Sequence, residues 1–505
     1  MLKKVFQKNK NMKFLSILLI ASMLVLGGCK SGFMSSETPV APLQPQTPQT
    51  PLVVDGVRTS YADVVEKTSP AVVRIGSERK SRTSPQQQFP FGDMFRDLIP
   101  NMPRQQQRPP IERGVGSGVI VSANGTVLTN HHVIDGAEKI TVQMIDDKTY
   151  EAKVIGSDPP SDLAVLKIEG EAFPFLNLGN SDNVRVGDIV LAIGNPLGIG
   201  QTVTAGIISA KGRRTGLSDG SSFQDFLQTD APINRGNSGG ALVSVGGELI
   251  GINSQILSDS GGGGNIGIGF SIPSNMAKNV MEQLLNGGKV RRGMLGVGIQ
   301  DVTEDLAKSL ELKEAKGVLV NSVKSGSAAE KAGIKVGDIV TAINGEPTYD
   351  SNILRNKIAG TAPGTDIKVT VLRDGKSQEV TATLDEFNVE SAKNDQPNNQ
   401  NEEIPEKSND GGKLGLSLQP VTPQIARELN LPNDTKGLVV MEVDPDGSAA
   451  DAGVTRGDVI TEINRQPVKT LDEVQAAIEK SGNKPILLLL NRQGNTRYVT
   501  VTPKQ

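Results

Sequence analysis

The sequence predicts a mainly β chain of about three globular parts, a barrel- or sandwich-forming region followed by two copies of a smaller module. Three observations carry this. The chain has 505 residues, more than a single hydrophobic core normally serves. Gly supplies 56 of them and Trp none, which suits many tight turns between short strands. Gly317 to Pro347 recurs as Gly437 to Pro467, 120 residues further on, the self-similarity of a repeated domain.

Composition also narrows the function. Lys+Arg 53 against Asp+Glu 56 leave a net charge of −3, without the basic excess that displaces counterions from nucleic acid, so no nucleic-acid partner is expected. The one Cys allows no internal disulfide, and with two His the chain has too few ligands for a structural zinc site. No Gly-Lys-Ser/Thr phosphate loop appears. No metal, nucleotide or other cofactor is expected.

In chain order, Lys3, Lys4, Lys8, Lys10 and Lys13 precede the apolar run Phe14 to Leu26, the layout of an export signal. The run is short for a bilayer span. Met12-Lys13-Phe14 opens a complete signal by itself, so Met1 and Met12 are both candidate starts. Leu26-Gly27-Gly28-Cys29 resembles the bacterial lipoprotein cleavage box, which implies that Cys29 becomes a lipidated first residue. The following Pro, Gln, Thr and Ser have little to bury and read as a flexible tether. Ser81 to Pro110 is Gln-rich but lies between the strand-like runs Ala71 to Ile75 and Val115 to Val121. It therefore reads as a long loop inside one domain, and its Phe89, Phe91, Met94 and Phe95 are expected to dock on a neighbouring subunit.

From Gly114 to Phe270, short apolar or alternating runs are broken by Gly, Asn and Asp, as in Val127 to Thr129, Lys139 to Met144, Leu163 to Ile168, Ile189 to Ile193 and Leu249 to Ile252. This pattern predicts a β-barrel or sandwich. Met276, Ala277, Val280, Met281, Leu284 and Leu285 fall on one face of a helix over Ser274 to Leu285, capped near Ser274 and closed by Gly287-Gly288. In the repeats, Ala332-Gly333 pairs with Ala452-Gly453, Gly337-Asp338 with Gly457-Asp458 and Ile343-Asn344 with Ile463-Asn464. Leu295-Gly296-Val297 pairs with Leu414-Gly415-Leu416. The polar stretch between the repeats predicts a disordered linker.

The chemistry centres on Gly236-Asn237-Ser238-Gly239-Gly240. A serine hydroxyl needs a base within about 2.6–3.2 Å and backbone donors for the oxyanion formed on attack. The flanking glycines permit such a cradle, with the N–H groups of Gly236 and Ser238 as its donors; taken alone, the string is also an ordinary turn. The only imidazoles are the adjacent His131 and His132. A base of this kind is oriented by a carboxylate, and Asp162, opening the apolar run Leu163 to Ile168, is the candidate. The order His, Asp, Ser is that of chymotrypsin-type barrels, not of α/β-hydrolases or subtilisins.

Together Thr129-Asn130-His131-His132-Val133, Ser161-Asp162-Leu163-Ala164, Gly194-Asn195-Pro196, Thr229 to Leu242 and Ile268 to Pro273 resemble the HtrA (DegP/DegQ, Do-like) serine proteases. The resemblance implies a chymotrypsin-like double β-barrel and two PDZ domains, with His132 as general base, Asp162 as orienter and Ser238 as nucleophile. That family usually has Asn where His131 stands. Adjacent side chains on an extended segment point apart, so only one histidine is expected to meet Ser238; His132 is chosen by its match to the His-Val pair, and His131 is read as a satisfied polar neighbour. The resulting division is a lipoprotein signal over 1–28, a tether over 29–58, a protease domain over 59–287 with a regulatory loop at 81–110, PDZ domains at 288–388 and 412–505, and a linker at 389–411.

The resemblance also implies an ATP-independent endopeptidase for misfolded envelope proteins, cleaving after small aliphatic residues, built from trimers or multiples of trimers and lipid-anchored in the periplasm. Leu295, Gly296 and Val297, and Leu414, Gly415 and Leu416, would take the terminal carboxylates of peptides, with Arg291 and Arg292 as candidate added charge in the first module. An alternative is a peptide-binding chaperone or scaffold with a dormant protease domain. An esterase of the same barrel type is a third reading.

Overall fold

The computed structural model describes residues 53–54, 57–58, 60–80, 111–196, 200–215, 222–234, 236–256, 265–388, 414–429, 431–432, 435–482 and 484–503. The stretches read from the sequence as a lipoprotein signal, most of the tether, the 81–110 loop and the 389–411 linker lie outside the described residues. Residues 1–59 and 60–505 form separate units. In the first, Val53–Val54 pairs with Val57–Arg58.

The second unit begins with two closed six-stranded barrels. The first comprises β1 (Val72–Lys80), β2 (Ile111–Ser122), β3 (Thr126–Thr129), β4 (Lys139–Gln143), β5 (Thr149–Asp158) and β6 (Leu163–Ile168), closed in the order β1-β2-β3-β6-β5-β4. The second comprises β7 (Ile189–Gly194), β8 (Thr202–Arg213), β9 (Phe226–Thr229), β10 (Ala241–Ser244), β11 (Leu249–Ile256) and β12 (Gly269–Pro273), closed as β8-β9-β12-β11-β10-β7. Closure leaves no unpaired edge.

Alternate side chains of these strands fill the barrels. Val73, Ile75, Ile120, Val127, Leu166 and Ile168 form the first interior, and Val190, Ala192, Ile208, Leu227, Leu242 and Ile250 the second. The opposite strand faces meet between the barrels, where Val72, Val119, Leu163, Leu191, Phe226 and Ile252 share one cluster. Both faces of a strand such as Leu163–Ile168 are therefore buried, which is why it reads as a continuous apolar run.

Helix α2 (Ser274–Gly287) covers this seam, and its buried Ala277, Val280 and Leu284 recur at helical spacing; α1 is the single turn His131–Ile134. Burying a side chain such as Leu284 contributes about 1.5–3 kcal/mol. The helix stops at Gly288, at φ +69°, as expected from the glycine pair. Its start differs from the sequence expectation. Pro273 occupies the cap position and the Ser274 hydroxyl donates to the carbonyl of Gly179, tying the helix to the barrel instead of capping it.

The repeats form two sheets of the same topology. In the first, β13 (Val297–Asp301), β14 (Val318–Val323), β15 (Ile339–Ile343), β16 (Asp366–Arg373) and β17 (Lys376–Thr383) run in that order, with α3 (Ser351–Gly360) against them. In the second the order is β18 (Leu416–Pro420), β19 (Leu438–Val443), β20 (Val459–Ile463), β21 (Ile486–Arg492) and β22 (Asn495–Val501), with α4 (Leu471–Ser481). The Gly-Asp pairs of the repeat have a structural role. Asp338 and Asp458 are buried, and each accepts a bidentate bond from an arginine of its own sheet, Arg373 and Arg492.

Candidate active site

The site lies between the barrels. His132 sits on α1, just after β3, whose four residues are all buried. Asp162 ends the 3₁₀ turn Pro159–Ser161 and adopts φ +55°, ψ +39°, a left-handed conformation that Asp tolerates better than most residues. The Asp158 carboxylate caps the start of this turn by accepting from the backbone N–H and the hydroxyl of Ser161.

These two segments are fastened to each other. The N–H of His131 and the Asn130 side-chain amide both donate to the Asp162 carbonyl, at 3.1 and 3.0 Å. The His132 N–H donates to Asp162 Oδ1 at 3.0 Å, and His132 Nδ1 lies 2.8 Å from Oδ2 and 3.0 Å from Oδ1. With the carboxylate ionised, Nδ1 carries the proton and Nε2 is left as a base. From the second barrel, the Ser254 hydroxyl donates to Asp162 Oδ2 at 3.0 Å. Sequence reasoning did not single out Ser254, because a serine on a buried strand carries no local signature.

Ser238 approaches from the second barrel. Its carbonyl accepts from the N–H of Ser117 on β2 at 2.8 Å. A Cβ on the adjacent Gly116 would sit 2.7 Å from Val133, next to His132, and 3.3 Å from the Ser238 carbonyl, so serine and histidine segments flank the same two residues of β2. Among the described residues no hydrogen bond joins the Ser238 hydroxyl to His132. Such bonds are commonly long before substrate closes the site.

The N–H groups of Asn237, Gly239 and Gly240 are taken by the carbonyls of Asn234, Asn253 and Asn237. Those of Gly236 and Ser238 have no hydrogen-bond partner among the described residues. Gly239 must be glycine: at φ +83°, its Cβ would sit 2.1 Å from the Ser117 carbonyl oxygen.

His131 departs from expectation. The two histidines lie on a helical turn, not on an extended segment, and His131 is not satisfied: Nδ1 is buried without a hydrogen-bond partner, and Nε2 is 3.8 Å from Asp135.

In the first repeat a groove of about 570 Å³ is lined by Leu295, Gly296, Val297, Ile299, Leu354 and Ile358, between the edge strand β13 and α3. Gly296 has φ +78°, and in the second repeat Gly415 has φ +72° beside the edge strand β18. Neither arginine adds charge to a carboxylate loop. Arg291 pairs with exposed Glu386, while Arg292 is buried and bidentate on Asp158 at 2.8 and 2.5 Å. Phe223 lies 4.6 Å from the Arg292 guanidinium, packs edge-on to Phe387 and lines the same groove.

Beside this junction burial pushes the Asp225 carboxyl up to about 6, with Asp182 and Asp350 adding repulsion and Lys211 opposing it. Raised in the folded state, this group contributes stability at low pH that is lost as pH rises from the usual value of 3.8 through about 6. Asp225→Asn is expected to raise the melting temperature at neutral pH and to flatten its fall across that window. An unchanged pH slope in thermal scans would assign the dependence to other groups.

Two barrels meeting at a His–Asp pair and a glycine-framed serine, followed by two repeated sheet-and-helix modules, define a trypsin-like serine endoprotease with PDZ domains. Residues 116–252 match the trypsin-like peptidase domain family, and 293–384 and 439–492 match PDZ domain families. The chain is 39% identical over 463 residues to a probable periplasmic serine endoprotease DegP-like of Chlamydia trachomatis serovar D, covering 88% of this chain and 89% of the relative. It is 40% identical over 489 residues to the protein of that description in Brucella suis biovar 1, covering 89% and 90%. The HtrA-type protease AlgW solved with a tripeptide superposes with a TM-score of 0.53 at 42% identity, covering 65% of this chain and 98% of that one. The chain belongs to the HtrA family of DegP-like serine endoproteases.

Proposed function

We propose that the chain hydrolyses unfolded polypeptides in the periplasm, without ATP, through Ser238, His132 and Asp162. The Ser238 oxygen attacks the scissile carbonyl carbon and its proton passes to His132 Nε2. The N–H groups of Gly236 and Ser238 stabilise the oxyanion. As the C–N bond breaks, the imidazolium returns the proton to the leaving amine, and water then releases the acyl group by the same route. The observation that carries this reading is the 2.8 Å bond from His132 Nδ1 to an Asp162 carboxylate itself held from the other barrel by Ser254.

The proposal keeps the protease domain at 59–287, the PDZ domains at 288–388 and 412–505, and peptide carboxylates at Leu295-Gly296-Val297 and Leu414-Gly415-Leu416. Phe223 supports regulation by such peptides. It joins the first groove to Arg292, whose partner Asp158 caps the turn bearing Asp162. Trimers or their multiples are the proposed assembly. A fluorescent serine-directed phosphonate is expected to label the native chain and not Ser238→Ala, in parallel with cleavage of unfolded casein. Labelling of neither, with peptide binding retained, would establish a dormant scaffold instead.

The lipoprotein-like box supports anchoring through Cys29, and the relatives' descriptions as periplasmic support the compartment. Among the described residues no helix is long and apolar enough to cross a membrane. Cys29→Ser is expected to move the protein from the membrane to the soluble fraction with catalysis intact. Continued sedimentation with membranes would count against lipidation.

A further inference from the structure

We propose that Ser117 is a positioning residue of the hydrolytic site, its hydroxyl pinning the Gly236 carbonyl and so the Gly236 end of the turn that would present the oxyanion donors. The inference rests on the serine-hydrolase reading above and deepens it.

Ser117 is fully buried in the middle of β2. Its hydroxyl donates to the Gly236 carbonyl at 2.6 Å and accepts from the N–H of Asn195 at 2.8 Å. Its own N–H donates to the Ser238 carbonyl at 2.8 Å, and its carbonyl accepts from Thr129 Oγ1 at 2.7 Å. One residue of the first barrel thus holds the carbonyls on both sides of Asn237.

Peptide planarity turns these contacts into control of direction. In a trans peptide the C=O and N–H of one unit point to opposite sides, so fixing a carbonyl fixes the N–H of the next residue. The Asn237 carbonyl is held by the N–H of Gly240, which fixes the Ser238 N–H. The Gly236 N–H is set by rotation about the N–Cα bond of Gly236, at φ +97° and without a Cβ to restrain it. That rotation is defined only while the rest of Gly236 stays still, and the Ser117 hydroxyl pins its carbonyl. Removing the hydroxyl frees the Gly236 carbonyl and strands two buried backbone groups, that carbonyl and the Asn195 N–H, which then find partners by moving the turn. Among the described residues the His132–Asp162 pair makes no hydrogen bond with the Ser117 side chain. A clamp of this kind therefore acts on the oxyanion and not on the base.

The test compares the full-length native chain with Ser117→Ala, Ser117→Cys and Ser238→Ala on fluorescently labelled unfolded β-casein and on a tetrapeptide aldehyde ending in valinal. Misplacing a catalytic group by an ångström lowers turnover about 100-fold. Ser117→Ala is expected to lose kcat on that scale with KM within about twofold of native, since the donors act in the transition state. The pH midpoint of kcat should not move, and the aldehyde should bind more weakly by the same factor as kcat, because its hemiacetal oxygen takes the oxyanion position. Ser117→Cys, which keeps the volume but offers a weak S–H donor, should fall between, and it decides the matter if Ser117→Ala does not fold. Full kcat in either folded variant, or a loss confined to KM with aldehyde affinity retained, overturns the clamp. Native cleavage that Ser238→Ala abolishes upholds the hydrolase reading independently; its absence removes both.

Discussion

Asp162→Asn is expected to keep the fold and lower kcat by about 10⁴-fold, by analogy with the same exchange in chymotrypsin-type enzymes. Two features of this site explain why. Asn shares the tolerance of Asp for the left-handed backbone at φ +55°, so the turn and its bonds to Asn130 and His131 survive. The side chain, however, no longer offers two acceptors. Asp162 receives the His132 N–H, His132 Nδ1 and the Ser254 hydroxyl on its two oxygens. An amide has one oxygen for these donors, and its NH₂ is best placed as a donor to Nδ1. The imidazole then carries its proton on Nε2 and has no lone pair for the Ser238 hydroxyl. Measured on unfolded casein with matched circular dichroism spectra, a loss smaller than about tenfold would assign the orienting role to another carboxylate.

What the sequence displays of this site is decided by scarcity. Two histidines confine any imidazole base to one place, so the proposed His–Asp–Ser constellation is legible once the serine motif is seen. The strands are legible where both faces are buried, as in Leu163–Ile168 and Leu249–Ile256. Thr202–Arg213 is the opposite case. Most of its residues are exposed or half-buried, so it has no apolar period, and its place is fixed by pairing with Ile189–Gly194 and Phe226–Thr229. Ser254 and Ser117 are illegible for a related reason. Each is one hydroxyl on a strand, and its meaning comes from a partner 92 or 119 residues away. Arg292 shows how local reading misassigns a charge. Next to the proposed carboxylate-binding loop it suggests ligand capture, yet its guanidinium pairs with an aspartate 134 residues earlier.

Arg292→Met is therefore expected to destabilise the chain by about 3–5 kcal/mol, far more than an exposed pair such as Arg291–Glu386 contributes. The Arg292 and Asp158 side chains are only 7% and 6% exposed, so deleting the guanidinium leaves a carboxylate without its counter-charge inside the protein. Adding Asp158→Leu should recover much of the loss, since replacing both charges removes the stranded ion. The double variant separates two roles that the single one merges. Asp158 also caps the turn that ends in Asp162, so a chain with neither charge should regain stability while kcat falls, because Ser161 has lost its acceptor and the Asp162 turn its restraint. Denaturant titration resolving the first unfolding transition, run beside casein turnover, checks both halves. Restoration of stability and kcat together would show that the cap is dispensable and that the buried pair serves only to hold the first PDZ domain against the barrels.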